Sequence, residues 1–407
     1  MNLKEAINWL ETRPRFKDKV SLKKMFDLSE RLGNPQHAFK SIHITGTNGK
    51  GSTAHFLSNI LRENYRVGLF TSPYILKFNE RLQINNEMIS DQKLLTLITR
   101  MKEFIIPYEK EIDDKFTFFE LLTMISFIYF KEEKVDYAII EVGIGGKLDS
   151  TNIITPILAI ITSLGKDHQK QLGNSLKSIL INKLGIVKKN VPLITAVNNY
   201  HHLIAEVVKN NNTSVTYLTN NDFKLKSSLP LKFSFKGMTF EPKMQGLYQL
   251  TNAGLAVTAA LKIAPNLSSS TIVKGINNSY NPGRFEIVRK EPYLILDGAH
   301  NIEAMKVLTK TVRKLFKKAK VTVLFACMED KPFKDMVRII KRMANKIVLT
   351  EIAYHRSLKT IDQKVNYPKY QDPRLAFNTL VNNLKADEVL IITGSLYFVS
   401  FIKNEFF

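Results

Sequence analysis

A single cysteine, Cys327, stands in a chain of 407 residues. No intramolecular disulfide can form, which fits a reducing compartment. Cys327 lies in the apolar run Val321–Cys327 and is expected to be a small buried residue rather than a nucleophile. Long apolar runs are missing too. Leu121–Phe130 and Ile153–Thr162 fall well short of the roughly 20 residues that cross a bilayer. Met1 to Glu5 shows no signal-peptide segment, so a cytoplasmic protein with no membrane partner is expected. Internal repeats and low-complexity linkers are absent. Acid is scarce: 59 Lys and Arg face 37 Asp and Glu, a net charge of +22. Such a surplus accommodates a polyanion, nucleic acid first among them. The lysines are scattered, however, and no RNA-binding aromatic signature accompanies them; a low-GC genome also accounts for a bias towards Lys, Asn and Ile.

The stretch that organises the chain is Ser41 to Leu61. Ser41-Ile42-His43-Ile44 reads as a strand, Thr45-Gly46-Thr47-Asn48-Gly49-Lys50-Gly51-Ser52 as a turn, and Phe56, Leu57, Ile60 and Leu61 recur at helical spacing. Three glycines bend the backbone so that free N–H groups face one point where a helix begins, and its positive end attracts polyphosphate. Lys50 adds a mobile positive charge, and Ser52 sits where such loops help hold Mg²⁺. The spacing departs from the common P-loop, being shorter between Gly46 and Gly49 and placing Gly51 between Lys50 and Ser52.

Apolar strand-like runs alternate with helical patterns from end to end, the mark of α/β architecture with a mostly parallel sheet. Strands are expected near 41–44, 67–71, 135–142, 157–162, 192–196 and 214–218, with a hairpin over 232–240 turning at Lys236-Gly237. The rhythm restarts with strands near 285–290, 293–297, 320–326, 346–351 and 388–393. Asn281-Pro282-Gly283 is the boundary signal. The expectation is an N-terminal P-loop ATPase domain over 1–283 and a smaller, doubly wound Rossmann-like α/β domain over 284–407, with the site in the cleft between them.

Other segments carry chemistry less decisively. Thr71-Ser72-Pro73-Tyr74 ends a second strand with a hydroxyl able to ligate Mg²⁺, although an ordinary strand exit reads equally well. Glu141 ends the apolar strand Val135–Val142, where a carboxylate is costly to bury without a cation, so it is a candidate Mg²⁺ ligand. Gly143, Gly145 and Gly146 follow it. His168 follows a strand end; a lone histidine is more often structural, but beside the loop and Glu141 the balance reverses. Lys183 is argued for by position alone, and Asn252 opens a helix expected over 252–261.

The run Thr45–Ser52 closely resembles the nucleotide loop of the Mur ligase superfamily, and within it the folylpolyglutamate synthase and dihydrofolate synthase branch. Thr71-Ser72-Pro73, followed by Phe78-Asn79-Glu80-Arg81, resembles that branch's folate-site loop, which implies a metal contact at Ser72 and substrate contacts from Pro73, Tyr74, Phe78, Asn79 and Arg81. Glu141 to Gly146 with Asp149-Ser150-Thr151-Asn152 is similar in order and spacing. The resemblance implies a second Mg²⁺ at His168 and, in Asn182–Ile186, a lysine often carbamylated in relatives, Lys183; here Leu184 replaces the usual alanine. It further implies Asn252 near the adenine, Arg284 on phosphate, Asp297 on the ribose side, His300 at the reaction centre, and Ser395, in Thr393–Tyr397, near the incoming amino acid. Ile302 replaces the family's proline after Asp297-Gly298-Ala299-His300-Asn301. The matches keep their order from Leu32-Gly33-Asn34-Pro35 to Tyr397.

The activity so implied is ATP-dependent addition of L-glutamate to the γ-carboxylate of a folate through an acyl phosphate. Gly49, Lys50, Gly51 and Ser52 would cradle phosphates, and domain closure would bring Arg284, Asp297 and His300 to the nucleotide. The expected partners are a reduced folate, L-glutamate and ATP, acting on a monomer with no nucleic acid. The expected cofactors are ATP and Mg²⁺ at two sites, with a monovalent cation left open. Dihydrofolate synthase, alone or as a second activity, is the alternative. A peptidoglycan ligase fits less well because of the Phe78–Arg81 loop, and a basic nucleic-acid-dependent ATPase would use the same phosphate loop.

Overall fold

Most strands are short and apolar, buried on both faces as a parallel sheet covered by helices requires. The computed structural model describes residues 1–407 except 16, 18, 19, 353, 355 and 361. Contacts divide the chain into two units, Met1–Asp222 with Thr251–Asn278, and Phe223–Leu250 with Ser279–Phe407. The sequence reading ran its first domain unbroken to residue 283, whereas the contacts group Phe223–Leu250 with the second unit. No helix among the described residues is long and apolar enough to cross a membrane.

Unit 1 holds β1 (Lys40–Thr45), β2 (Val67–Phe70), β3 (Leu82–Ile84), β4 (Glu87–Met88), β5 (Tyr137–Glu141), β6 (Leu158–Ile161), β7 (Leu193–Thr195) and β8 (Val215–Tyr217). They form one sheet in the order β4-β3-β2-β5-β1-β6-β7-β8. It is parallel from β2 to β8, with β3 and β4 antiparallel at one edge. Ile44 pairs with Glu141 on one side and Ile160 on the other. The carboxyl ends of the three central strands therefore open on a common rim. Below it, one face packs around Phe70, Phe116 and Ile140 and the other around Val142, Ile161 and Leu180. Helix Lys50–Leu61 is gripped by helix Ser269–Asn278, where Gly275 permits the approach: a β-carbon there would sit 2.6 Å from Ile60 Cα.

Unit 2 begins with a three-stranded antiparallel sheet, β9 (Lys224–Ser228), β10 (Leu231–Phe235) and β11 (Met238–Phe240), with the expected turn at Lys236-Gly237. A second sheet follows, made of β12 (Glu286–Lys290), β13 (Tyr293–Asp297), β14 (Val321–Phe325), β15 (Lys346–Thr350), β16 (Lys369–Tyr370) and β17 (Val389–Thr393), in the order β12-β13-β17-β14-β15-β16. Only β12 is antiparallel. Alternate residues face opposite sides: Ile295, Val323 and Ile391 join one apolar cluster, Leu294, Leu324 and Ile392 another. Helices cover both faces, the doubly wound arrangement.

Candidate active site

In unit 1 the loop after β1 is held from below by the end of β6. Thr162 Oγ1 donates to Asn48 O at 2.6 Å, Ser163 Oγ accepts from Asn48 N at 2.8 Å, and Thr47 N donates to Ser163 O at 3.1 Å. Sequence reasoning missed both hydroxyls, although a Thr-Ser pair at a strand end was the available signal. Gly49 caps helix Lys50–Leu61 with φ of 87°, in the left-handed region. A β-carbon at Gly49 would run into the side-chain oxygen of Asn252. The first helical amides, Lys50, Gly51 and Ser52, have no partner within the helix and open where the loop turns. Lys50 Nζ donates to Gly46 O at 3.2 Å, holding its ammonium over the loop.

Glu141 ends β5 at 4% exposure. Its Oε1 lies 3.9 Å from Lys50 Nζ, and its Oε2 accepts from Ser72 N at 3.0 Å. Lys50, Ser72 and Glu141, far apart in sequence, thus meet at neighbouring strand ends. The glycine-rich turn after Glu141 is fastened by Asp149, whose Oδ2 accepts from Ile144 N at 2.9 Å. Asp149 Oδ1 accepts from Thr151 N at 3.0 Å and Thr151 Oγ1 at 2.5 Å. Thr151 in turn meets His43 Nε2 at 2.8 Å. A carboxylate only accepts, so the threonine proton goes to Asp149 and His43 must carry its hydrogen on Nε2. Burial, and then the charge of Lys188, pull the His43 pKa down to about 3, so the ring is neutral.

Lys183 is 3% exposed. Burial first, then the Lys50 charge, lower its pKa to about 7 against opposing pulls from Asp167 and Asp149. His168 itself is exposed, adopts a left-handed conformation (φ 49°) and precedes the one-turn helix Gln169–Leu172. Among the described residues no cluster of three or more His, Cys, Asp or Glu side chains is placed to hold a metal. What is gathered here is instead one buried carboxylate, Glu141, with the backbone N–H of Ser72 against it. One carboxylate suits Mg²⁺, which is commonly bound through one or two carboxylates plus phosphate and water oxygens.

The loop after β2 turns on itself. Glu80 accepts from Ile75 N and Leu76 N at 2.7 Å and from Lys77 N at 3.0 Å. Asn79 Nδ2 donates to Ile89 O at 2.7 Å and Asp91 Oδ1 at 2.8 Å, so its amide braces the loop. The Arg81 guanidinium lies 5.0 Å from the Tyr74 ring centroid and 5.4 Å from those of Phe78 and Phe118. Arg81 and Phe78 are buried and Tyr74 is half-buried, so the guanidinium is packed among the three rings. Pro73 follows Ser72 through a cis peptide bond. Asn252 is buried in helix Gln249–Ile263, which starts three residues earlier than the sequence suggested.

In unit 2 the register pairs Asp297, at the end of β13, with Thr393, at the end of β17. Gly298 N donates to Gly283 O at 2.8 Å and Gly394 N to Ala299 O at 3.0 Å, gathering three separate motifs. Asp297 is buried and accepts from Tyr248 Oη at 2.8 Å, Phe285 N at 3.0 Å and Ala299 N at 2.9 Å. Burial raises its pKa while Tyr248, the two amides and the Arg284 charge pull the other way. The role of Tyr248 was missed in sequence because its partner lies in a different motif. His300 Nδ1 is 2.8 Å from Gly298 O, a carbonyl that can only accept, so Nδ1 carries the hydrogen. Ser395 is buried and accepts from Tyr397 N at 3.2 Å, capping helix Leu396–Phe406. Cys327 is buried as expected, and burial pushes its thiol up to about 12.

The Mur ligase middle domain matches residues 44–260, and the Mur ligase glutamate ligase domain matches residues 283–396. The dihydrofolate synthase/folylpolyglutamate synthase of Bacillus subtilis (strain 168) is 33% identical over 421 residues, covering 98% of both chains. The folylpolyglutamate synthase of Lacticaseibacillus casei is 31% identical over 429 residues, covering 99% of this chain and 98% of the relative. Among solved structures, an FPGS–AMPPCP–folate complex has a TM-score of 0.87 at 29% identity, covering 99% of both chains.

Proposed function

From the premise that this chain belongs to the Mur ligase family, we propose that it joins L-glutamate to the γ-carboxylate of a reduced folate with cleavage of ATP. The observation that carries this reading is the meeting of the Lys50 ammonium, the Glu141 carboxylate and the amide-bearing start of helix Lys50–Leu61 at one sheet rim. Phosphoryl transfer asks chiefly for positioning and charge stabilisation, and this rim offers both.

The folate carboxylate oxygen attacks the γ-phosphorus, the bond to ADP breaks, and an acyl phosphate results. The glutamate amine then attacks the acyl carbon, phosphate leaves, and the amine's extra proton is released. Lys50 and the amides of Gly49, Gly51 and Ser52 hold the phosphates. Glu141 and the Ser72 hydroxyl would hold magnesium, which neutralises polyphosphate charge when bound. His168 and Lys183, the latter as a carbamate, are assigned to a second ion. Lys183 suits that modification because a neutral amine is what captures CO₂, releasing a proton, and the Lys50 charge that lowers its pKa also favours the resulting anion. Tyr74, Phe78 and Arg81 are assigned to the folate, with Pro73 and Asn79 shaping the loop, and Asn252 to the nucleotide. Within unit 2, Arg284, Asp297 and His300 are assigned to nucleotide and reaction centre, and Ser395 to the amino acid. These roles divide between the two units, and a cytoplasmic monomer is the form proposed.

A second activity, dihydropteroate plus glutamate, is supported by the double name of the Bacillus subtilis relative. Purified protein incubated with ATP, glutamate and either a reduced folate or dihydropteroate tests both readings, with ADP and glutamylated product followed by mass. Product from the folate is expected. Product from dihydropteroate alone would reassign the substrate, and ATP hydrolysis stimulated by RNA or DNA without glutamylation would overturn the ligase.

A further inference from the structure

We propose that a basic groove on one outer face of unit 2 is a binding site for a compact polyphosphate anion. Helix Ile302–Leu315 turns Met305, Leu308 and Val312 into the core and leaves Lys306, Lys310, Arg313 and Lys314 exposed. These four recur at i, i+4, i+7 and i+8 and so share a face. Lys317 continues the stripe, and Arg342, just beyond helix Phe333–Ile340, faces it across a cavity of about 560 Å³. That volume lies in the range of small-molecule pockets.

The groove is one-signed. No Asp or Glu occurs between Ala304 and Met328. Lys306 pairs with Glu303 at 3.0 Å, and among the described residues the other five cations make no ion pair. Like charges stacked along one helix face repel one another. The negative helix end offsets this for Arg313 and Lys314, but Lys306 and Lys310 lie away from it. A dense counter-anion would remove the repulsion at every position.

The floor narrows the ligand class. Its two other lining residues are Ile339 and Thr309, and the Thr309 hydroxyl is turned inward to Ile339 O at 3.5 Å. Neither a hydroxyl nor an aromatic ring is offered to a base, so the stacking that secures single-stranded nucleic acid has no platform here. Recognition is by charge, with Arg313 and Arg342 supplying planar forks suited to phosphate oxygens and the lysines supplying point charges. Several phosphates in a small volume match that set best, and the concave shape favours a discrete molecule over a flat lipid surface.

The test is calorimetric titration of the full chain with inorganic tripolyphosphate, because this probe carries the charge without a base. A Lys50→Ala background removes the ammonium of the phosphate loop. Binding is expected to persist in that background, to weaken at least tenfold when Lys310→Glu and Arg313→Glu are added, and to lose part of its salt dependence with them. Both residues are exposed, and circular dichroism checks the fold; Lys310→Gln with Arg313→Gln should give a smaller loss in the same direction. Loss of binding with Lys50→Ala alone, indifference to the Lys310 and Arg313 changes, or binding of single-stranded RNA but not tripolyphosphate would each overturn the proposal.

Discussion

The Lys50 ammonium stands 3.9 Å from the Glu141 carboxylate, cation at a helix start and anion at the end of the adjoining strand. Neither group serves the core: each leaves its element where the backbone turns away from the sheet. Removing charge from either should therefore cost turnover more than fold. Lys50→Ala and Glu141→Gln are expected to reduce kcat by at least roughly 10²-fold, the scale of losing one charge-stabilising group at a transition state. Circular dichroism and melting temperature should stay near wild type. Near-normal turnover in either variant would remove the phosphate and metal assignment.

Gly49 presents a different constraint, because conformation and space act together. Its φ of 87° is strained for any side chain, and a β-carbon would strike Asn252. Gly49→Ala is expected to destabilise the protein by about 1–2 kcal/mol from backbone strain alone, and by more from the clash. Adding Asn252→Gly removes the clash but not the strain. Glycine inside a helix is itself destabilising, so urea denaturation should show Gly49→Ala costing less in the Asn252→Gly background than alone; no cost in that background would mean that the left-handed conformation costs nothing.

Gly49, Lys50 and Glu141 were legible in the sequence because glycines and charged residues interrupt apolar runs. The parallel strands were legible for the same reason, each being an apolar run between turn signals. The strands β3 and β4 were not: they are three and two residues long, and their signal is the Asn85-Asn86 turn, both residues at positive φ (51° and 68°). Nor did the sequence disclose that Phe223–Leu250 joins the second unit, since that grouping rests on pairings such as Tyr248 with Asp297 that no local pattern encodes. The bonding of Asp149 to Thr151 and of Thr151 to His43 was hidden for a related reason. A histidine in the strand Ser41–Ile44 reads as a break in apolarity until its partner is known.

That buried histidine has a pH signature. Its pKa is about 3 in the fold against about 6.5 when unfolded. Between these values the unfolded chain binds the extra proton, so stability is full above about 6.5 and falls as pH drops towards 3. Replacing His43 by Gln is expected to flatten this acid limb by close to one proton, read from urea denaturation at several pH values. Nitrogen chemical shifts should show the Nε2–H tautomer. An acid limb unchanged in the variant would show that other groups carry the dependence.

Lys183 titrates in the opposite range, with consequences for both stability and activity. Its pKa is about 7 in the fold against about 10.4 unfolded. The unfolded chain binds more protons between the two, so the stability lost to burying this amine is regained as pH rises from about 7 towards 10.4. Over the lower part of that span the neutral fraction in the fold grows, and with it the capture of CO₂. Activity of bicarbonate-depleted enzyme is therefore expected to recover on adding bicarbonate, faster at pH 8 than at pH 6. Lys183→Arg, which stays charged, should show neither recovery nor the mass of added CO₂. Equal activity with and without bicarbonate, in protein whose intact mass shows an unmodified lysine, would leave the side chain only its packing role.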